Sequence, residues 1–350
     1  MRRLPIYFLI DVSESMIGEP IEQVQDGISS IIQELRTDPY ALETAFISII
    51  AFAGKAKTLV PLTELFKFRA PTFPIGGGTS LGHAMDFLMK DIDFSVQKTT
   101  TDIKGDWKPI VFLFTDGSPT DNPTRSFQKW NEKYRNKCNL IAISIGDNAD
   151  TQVLGKITDN VLRLKDTDRS SFKQFFKWIT ASIKTSSVSV IESYSDELKL
   201  APIDGINLEK VNHNICSKVD EKFAIIMSKC QNTKQPYLIK YEKKLNDPKL
   251  KLNNNNGDDI DGFKLIGAFP INDESYKSLS DNSSINKNIN TIELHGVPIC
   301  PCCGNPFDVV CVCGNIFCAN NESINTCPWC GITGNKLTKD KGSNINRNIG

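Results

Sequence analysis

The sequence predicts an α/β domain built on a parallel-rich central sheet, followed by a small β-rich region and a cysteine-bound zinc ribbon. Three observations lead there. Across residues 1–190, short and nearly continuous apolar runs alternate with amphipathic stretches. Runs that are apolar throughout, rather than at every second position, mark strands covered on both faces, as in parallel sheets. The middle of the chain loses this alternation. Eight of the 11 cysteines then fall between Cys300 and Cys330.

Taken in order, strands are expected at Leu4–Ile10, Phe46–Phe52, Pro109–Thr115 and Leu140–Ile145, all rich in Ile, Phe and Val. Between them, helices are expected at Glu19–Arg36, Leu81–Lys90, Thr124–Lys137 and Arg169–Lys184. Repeated strand–helix–strand order calls for right-handed crossovers and puts a site at the carboxyl ends of the strands. Residues 191–295 read as the small β-rich region, with strands at Phe223–Ser228, Tyr237–Tyr241 and Phe263–Phe269. Its polar stretches Asn253–Asp259 and Ser278–Asn290 read as loops. Residues 296–333 form the cysteine-rich ribbon, and 334–350 a polar, disordered tail.

Composition narrows the function classes. A chain of 350 residues suggests two or three domains, and 40% hydrophobic residues exclude wholesale disorder. Lys+Arg and Asp+Glu both number 41, so net charge gives no reason to expect nucleic acid or an anionic membrane as partner. No apolar run approaches the roughly 20 residues that span a bilayer. The run after Arg2 and Arg3 reaches Asp11 too soon for a signal peptide, so a cytoplasmic protein is expected. An odd number of cysteines gathered at one end of such a chain argues for metal rather than disulfides.

The first chemical constellation is made of oxygen. Asp11-Val12-Ser13-Glu14-Ser15 directly follows the first strand, so one carboxylate and two hydroxyls at alternate positions can face one point. Gly76-Gly77-Gly78-Thr79-Ser80 supplies another hydroxyl before a helix, and Thr115-Asp116-Gly117 ends a strand with a second carboxylate. Asp11, Ser13, Ser15, Thr79 and Asp116 form a hard-donor set for Mg²⁺ or Mn²⁺ rather than zinc. A phosphate-binding loop would need a lysine after the glycines, and none follows. A haloacid-dehalogenase-like phosphatase would need Asp at position 13, where Ser13 stands. Asp121 is expected to cap the helix that follows it, and His83 to be an ordinary surface histidine. The five donors, in this order and these strand-end contexts, resemble the metal-ion-dependent adhesion site of von Willebrand factor A domains. That resemblance implies a Rossmann-like sheet wrapped by helices, a Mg²⁺-type cation (Mn²⁺ and Ca²⁺ being alternatives), and a carboxylate from a partner protein completing the metal shell.

The second constellation is sulfur. Cys300-Pro301-Cys302-Cys303-Gly304 and Cys327-Pro328-Trp329-Cys330-Gly331 each hold C-x₂-C followed by glycine, the signature of a zinc knuckle. Cys300, Cys303, Cys327 and Cys330 are expected to bind one zinc around a hairpin at Phe307–Val312 and Asn315–Ala319. Cys302, Cys311, Cys313 and Cys318 leave alternatives open: a second metal, a tighter set recruiting Cys313 and Cys318, or buried thiols. Cys138, Cys216 and Cys230 read as core thiols, and His295 as a surface residue. Together with Lys229-Cys230-Gln231 and Pro236-Tyr237-Leu238-Ile239-Lys240-Tyr241-Glu242, this pattern resembles the bacterial TerY-type proteins of tellurite-resistance and stress-response systems. The resemblance spans about residues 3–333, with Cys302 and the Asn-rich stretch Asn253–Asn256 as departures. It implies a scaffold or adaptor acting with a protein kinase and a metal-dependent Ser/Thr phosphatase. The expected function is thus non-enzymatic, cation-dependent protein binding, with no nucleic-acid or membrane partner. The alternative is a metal-dependent phosphohydrolase using the same cation.

Overall fold

The fold begins from a strand that cannot meet water: Leu4–Asp11 (β1) is buried at every position. The structure, a computed structural model, describes residues 2–145, 150–164, 168–192, 200–202, 208–210, 222–243, 262–281, 287–320, 324–335 and 342–347. It divides into two units, Met1–Phe73 with Thr79–Val219, and Pro74–Gly78 with Asp220–Gly350.

In the first unit β1 is followed by α1 (Glu19–Leu35), α2 (Pro39–Thr44), β2 (Ala45–Phe52), β3 (Ala56–Glu64), α3 (Leu81–Ser95), β4 (Ile110–Thr115) and α4 (Thr124–Lys133). Then come β5 (Asn139–Ile145), α5 (Thr151–Gly155), β6 (Val161–Leu164), α6 (Arg169–Glu192) and β7 (Leu208–Lys210). The strands make one seven-stranded sheet in the order β3-β2-β1-β4-β5-β6-β7. Strands β2, β1, β4, β5 and β6 are mutually parallel, while β3 and β7 add antiparallel edges. The parallel-rich α/β sheet is therefore as expected. The edge strand β3 carries Pro61 and is only half-buried, so it lacks the apolar signature of its neighbours. β6 is four residues long, too short to stand out in sequence.

Helix α1 buries Ile21, Val24, Ile28, Ile31, Ile32 and Leu35, a three-to-four-residue spacing that aims one stripe at the core. An aromatic layer lies beneath: Phe8 stacks on Phe112 with centroids 5.6 Å apart, and Phe114 on Phe176 of α6 at 6.1 Å. The opposite face packs Tyr7, Leu9, Leu113, Met85, Leu88 and Trp130 in a second apolar cluster.

In the second unit the strands are β8 (Phe223–Lys229), β9 (Pro236–Lys243) and β10 (Phe263–Pro270), then α7 (Asp273–Leu279), β11 (Lys287–Asn290) and β12 (Leu294–His295). β13 (Phe307–Val310), β14 (Ile316–Ala319), β15 (Ile324–Thr326), β16 (Thr333–Asn335) and β17 (Asn344–Arg347) complete it. Two expectations are corrected here. The β-rich region and the ribbon are not separate bodies, because β14 pairs in parallel with β8 to give one six-stranded sheet, β12-β10-β9-β8-β14-β13. The tail is not uniformly unstructured either: Asn344–Arg347 pairs antiparallel with β11, burying Ile345 against Ile289 in the core. Helix α7 and β11 likewise occupy parts of the stretch expected as the Ser278–Asn290 loop. Asn253–Asp259 lies outside the described residues.

Gly27 of α1 faces Phe176 so closely that a Cβ would overlap the ring. Gly27→Ala should lower unfolding stability by about 1–3 kcal/mol in denaturant titration, as overpacking does. Combining it with Phe176→Leu should recover part of that loss, because the two effects share one space.

Candidate metal centres

The oxygen donors meet because of strand order. β2 lies on one side of β1 and β4 on the other, so the order in which strands are added reverses at β1, where α/β sheets open a crevice at the strands' carboxyl ends. Ile10 pairs with Phe114, so Asp11 and Thr115 arrive together one residue later. Thr115 Oγ1 donates to Asp11 Oδ2 at 2.6 Å. The backbone N–H of Ser13 donates to Asp11 Oδ1 at 2.9 Å, folding the loop back over the carboxylate. Ser13 Oγ and Ser15 Oγ lie 2.9 Å apart, and Ser15 Oγ donates to Asp116 Oδ1 at 2.8 Å.

Thr79 reaches the same edge by backbone pairing. Val12 N–H donates to Phe52 O and Ser80 N–H to Ala53 O, both at the end of β2. Thr79 N–H donates to Thr120 Oγ1, and Thr120 N–H returns a bond to Thr79 O, each at 2.9 Å. All five expected donors are at least nine-tenths buried, from Asp11 at 0% to Asp116 at 6% exposed. Thr79 Oγ1 is buried with no hydrogen-bond partner among the described residues. Burial, then the charge of Asp116, pushes the Asp11 carboxyl up to about 7. Two buried carboxylates and an unmet hydroxyl in a sulfur-free site fit a hard divalent cation.

Asp121 does not cap the helix after it. Its carboxylate accepts from Gly82 and His83 N–H at 3.2 and 3.0 Å, capping α3 instead. The loop after β4 thereby holds the loop that carries Thr79, and Gly82 leaves room for it, since a Cβ there would press on Pro123 Cα at 2.8 Å. His83 is exposed, as expected.

The cysteines separate into two groups, each with all sulfurs within 4.8 Å of one another: Cys230, Cys300, Cys303 and Cys318, and Cys311, Cys313, Cys327 and Cys330. The expected single set of Cys300, Cys303, Cys327 and Cys330 is thus corrected. The hairpin of β13 and β14 separates the two knuckles: Cys318 sits on β14 opposite Asp308, while Cys311 and Cys313 belong to the hairpin's turn. Neighbouring sulfurs are 3.6 Å apart for Cys303–Cys318 and Cys311–Cys330, and 3.9 Å for Cys313–Cys327. Four Zn–S bonds of about 2.3 Å give tetrahedral edges of about 3.8 Å. These spacings fit thiolates around zinc and are far too long for disulfides.

Cys230 is the ligand candidate that sequence reasoning missed. Its N–H donates to Gln235 O and its carbonyl accepts from Lys234 N–H, just as Cys300 pairs with Asn305 and Gly304, and Cys327 with Ile332 and Gly331. Gly304 and Gly331 have φ of 76°, and Lys234, at φ 63°, fills that left-handed position without being glycine. Thr233 stands where a second cysteine would complete the motif, which hid the turn. Burial opposes ionisation of Cys230, but hydrogen bonds from Thr233 bring its thiol down to about 6. Gln231 N–H donates to Cys318 Sγ at 3.2 Å, and Trp329 N–H to Cys327 Sγ at 3.4 Å. Such donors favour thiolates and orient metal ligands. Cys302 joins neither group, and His295 lies in β12 outside both. Cys138 is a core thiol, pushed up to about 12 by burial. Cys216 lies outside the described residues.

Comparison with known proteins agrees with this division. Residues 6–178 match the von Willebrand factor type A domain, and residues 220–350 match the TerY-C metal binding domain. Curated relatives include human inter-alpha-trypsin inhibitor heavy chain H6, 21% identical over 44% of this chain, and mouse inter alpha-trypsin inhibitor heavy chain 4, 26% identical over 43%. The matched segments are only 12% and 16% of those proteins' lengths. Among solved structures, proximal thread matrix protein 1 from the mussel byssus has a TM-score of 0.39 at 18% identity, covering 51% of this chain and 48% of that one. The ArnB paralog VWA2 from Sulfolobus acidocaldarius has a TM-score of 0.39 at 19% identity, covering 52% and 45%. Among the described residues, no helix is long and apolar enough to cross a membrane. The two family matches support a metal-dependent protein-interaction scaffold, and the chain joins a von Willebrand factor type A domain to a TerY-C metal binding domain, the TerY-type architecture.

Proposed function

We propose that this chain is a cation-dependent scaffold that grips an acidic side chain of a partner protein. Asp11, Ser13, Ser15, Thr79 and Asp116 would hold Mg²⁺, or Mn²⁺ or Ca²⁺ in its place. When bound, the cation supplies a Lewis-acidic contact for the partner's carboxylate. The observation that carries this reading is the buried meeting of two carboxylates and two serine hydroxyls beside Thr79, whose hydroxyl is left unmet. An unmet buried hydroxyl costs on the order of 1–3 kcal/mol, and coordination to a cation offsets that cost. Asp11 and Asp116 set the charge of the site, Ser13 and Ser15 fix their spacing, and Thr120 and Asp121 hold Thr79 in place.

The TerY-type architecture supports a cytoplasmic role in a bacterial tellurite-resistance or stress-response phosphorylation system. A protein kinase and a metal-dependent Ser/Thr phosphatase are the candidate partners, and the protein itself is proposed to be no enzyme. Zn²⁺ is proposed for both thiol groups, on the strength of their tetrahedral sulfur spacing.

Pull-down of the kinase or phosphatase should be lost in EDTA, and lost in Asp11→Ala and Asp116→Ala while circular dichroism stays that of a folded chain. Binding that survives all three refutes the mechanism. Turnover of a generic phosphate ester with Mg²⁺ or Mn²⁺, lost in Asp11→Ala, would favour the phosphohydrolase instead. The pH dependence has a definite sign. Without cation, folded Asp11 keeps its proton up to about 7, against about 3.9 in an unfolded chain. Between those values the native state binds more protons, so this group lowers stability as pH rises. A cation must displace that proton, so Mg²⁺ should raise Tm more at pH 8 than at pH 5.5. Equal shifts at both pH values would remove Asp11 from the site. Elemental analysis should find about two zinc ions per chain.

A further inference from the structure

The two thiol groups are chemically alike but set differently in the second unit. Cys230, Cys300 and Cys318 belong to its apolar core, with Cys303 packed against it. Cys230 and Cys318 are wholly buried and Cys300 is 2% exposed. These ligands come from three separate places: the turn between β8 and β9, the knuckle before β13, and β14 itself. Two of those places lie on one sheet through the β8–β14 pairing. Releasing an ion held there requires parting the sheet and opening its core.

The other group has no member in that core. Cys313 and Cys330 are exposed, Cys311 is half-buried, and Cys327 alone is buried. Its outermost ligands, Cys311 and Cys330, are only 19 residues apart. They sit in two turns outside the strands of the six-stranded sheet. Val312, between two ligands, is 74% exposed, and Ile332, just past the second turn, is 52% exposed. None of its ligands lies in a strand of the six-stranded sheet, and the Cys327–Cys330 turn is tied to that sheet by the Trp329 indole N–H on Ile316 O at 2.7 Å, so opening this group disturbs two turns and the short β15–β16 ladder first.

We propose that the second unit carries one locked and one exchangeable metal centre. This rests on the two-zinc reading above. The inner ion, on Cys230, Cys300, Cys303 and Cys318, is part of the fold. The outer ion, on Cys311, Cys313, Cys327 and Cys330, exchanges with thiophilic divalent ions in the surroundings. Its occupancy sets the order of the rim carrying Val312 and Ile332, making that rim responsive to metal supply without unfolding the unit.

The test uses the full-length, zinc-loaded chain. Native mass spectrometry first counts the ions, and the chromophoric chelator 4-(2-pyridylazo)resorcinol then times their release. One equivalent should leave at least about tenfold faster than the other, because local opening is easier than opening the core. Far-UV circular dichroism should persist after the first equivalent and fall with the second. Cys330→Ser and Cys313→Ser should each retain one slowly released zinc and lose the fast phase. Two equivalents leaving in one phase, or a fast phase surviving in Cys330→Ser, would overturn the inference alone. Fewer than two zinc ions in the starting protein would overturn the two-zinc reading and the inference with it. The biphasic release is read on the unaltered chain, so it decides the matter even if a variant fails to fold.

Discussion

Two carboxylates of like charge share one buried neighbourhood because β1 and β4 run parallel and in register from Ile6–Ile110 to Ile10–Phe114. Everything else at that strand edge answers to this arrangement. Burial and proximity both disfavour ionisation, and Asp11 accordingly holds its proton far above the usual carboxylate range. Hydroxyls of Thr115, Ser13 and Ser15 are spaced to moderate the repulsion. The Thr120 hydroxyl and Asp121 carboxylate of the loop after β4 then reach across to secure Thr79 and the start of α3. The aromatic layer of Phe8, Phe112, Phe114 and Phe176 keeps β1 and β4 from shifting relative to one another.

The second unit faces a different constraint. Much of its chain is polar, and a unit of that size has limited apolar area with which to offset chain entropy. Sulfur supplies part of the missing core, since three of the inner thiols are core members that touch the same aliphatic and aromatic side chains as any buried residue. The chain thereby keeps two kinds of metal chemistry apart. Oxygen donors at the sheet edge suit a hard cation, while thiolates in the other unit suit a soft one, so neither set competes well for the other's ion.

The oxygen site was readable in sequence because its information is local. Asp11, Ser13 and Ser15 follow one strand directly, Asp116 ends another, and each strand is announced by its apolar run. The cysteine partition was not readable, because C-x₂-C spacing states which two thiols share an ion but not which pairs do. That choice is made by the β13–β14 hairpin and its parallel pairing with β8, a contact between distant stretches with no local signature. Cys230 is hidden because Thr233 stands in place of the second thiol of its turn, and the cap made by Asp121 is not legible because its partner at the start of α3 precedes it by 39 residues. Strand β3 escaped notice because an edge strand need not be apolar on both faces.

The turn at Cys230 carries a broader meaning. It has the backbone of a two-thiol knuckle, down to the left-handed fifth residue, yet Lys234 occupies that position and Thr233 replaces the second sulfur. The shape of the turn is therefore separable from its ligand content. Over evolutionary time a chain of this kind can gain or lose a ligand at such a turn by a single codon change, while the scaffold that aims the side chain persists.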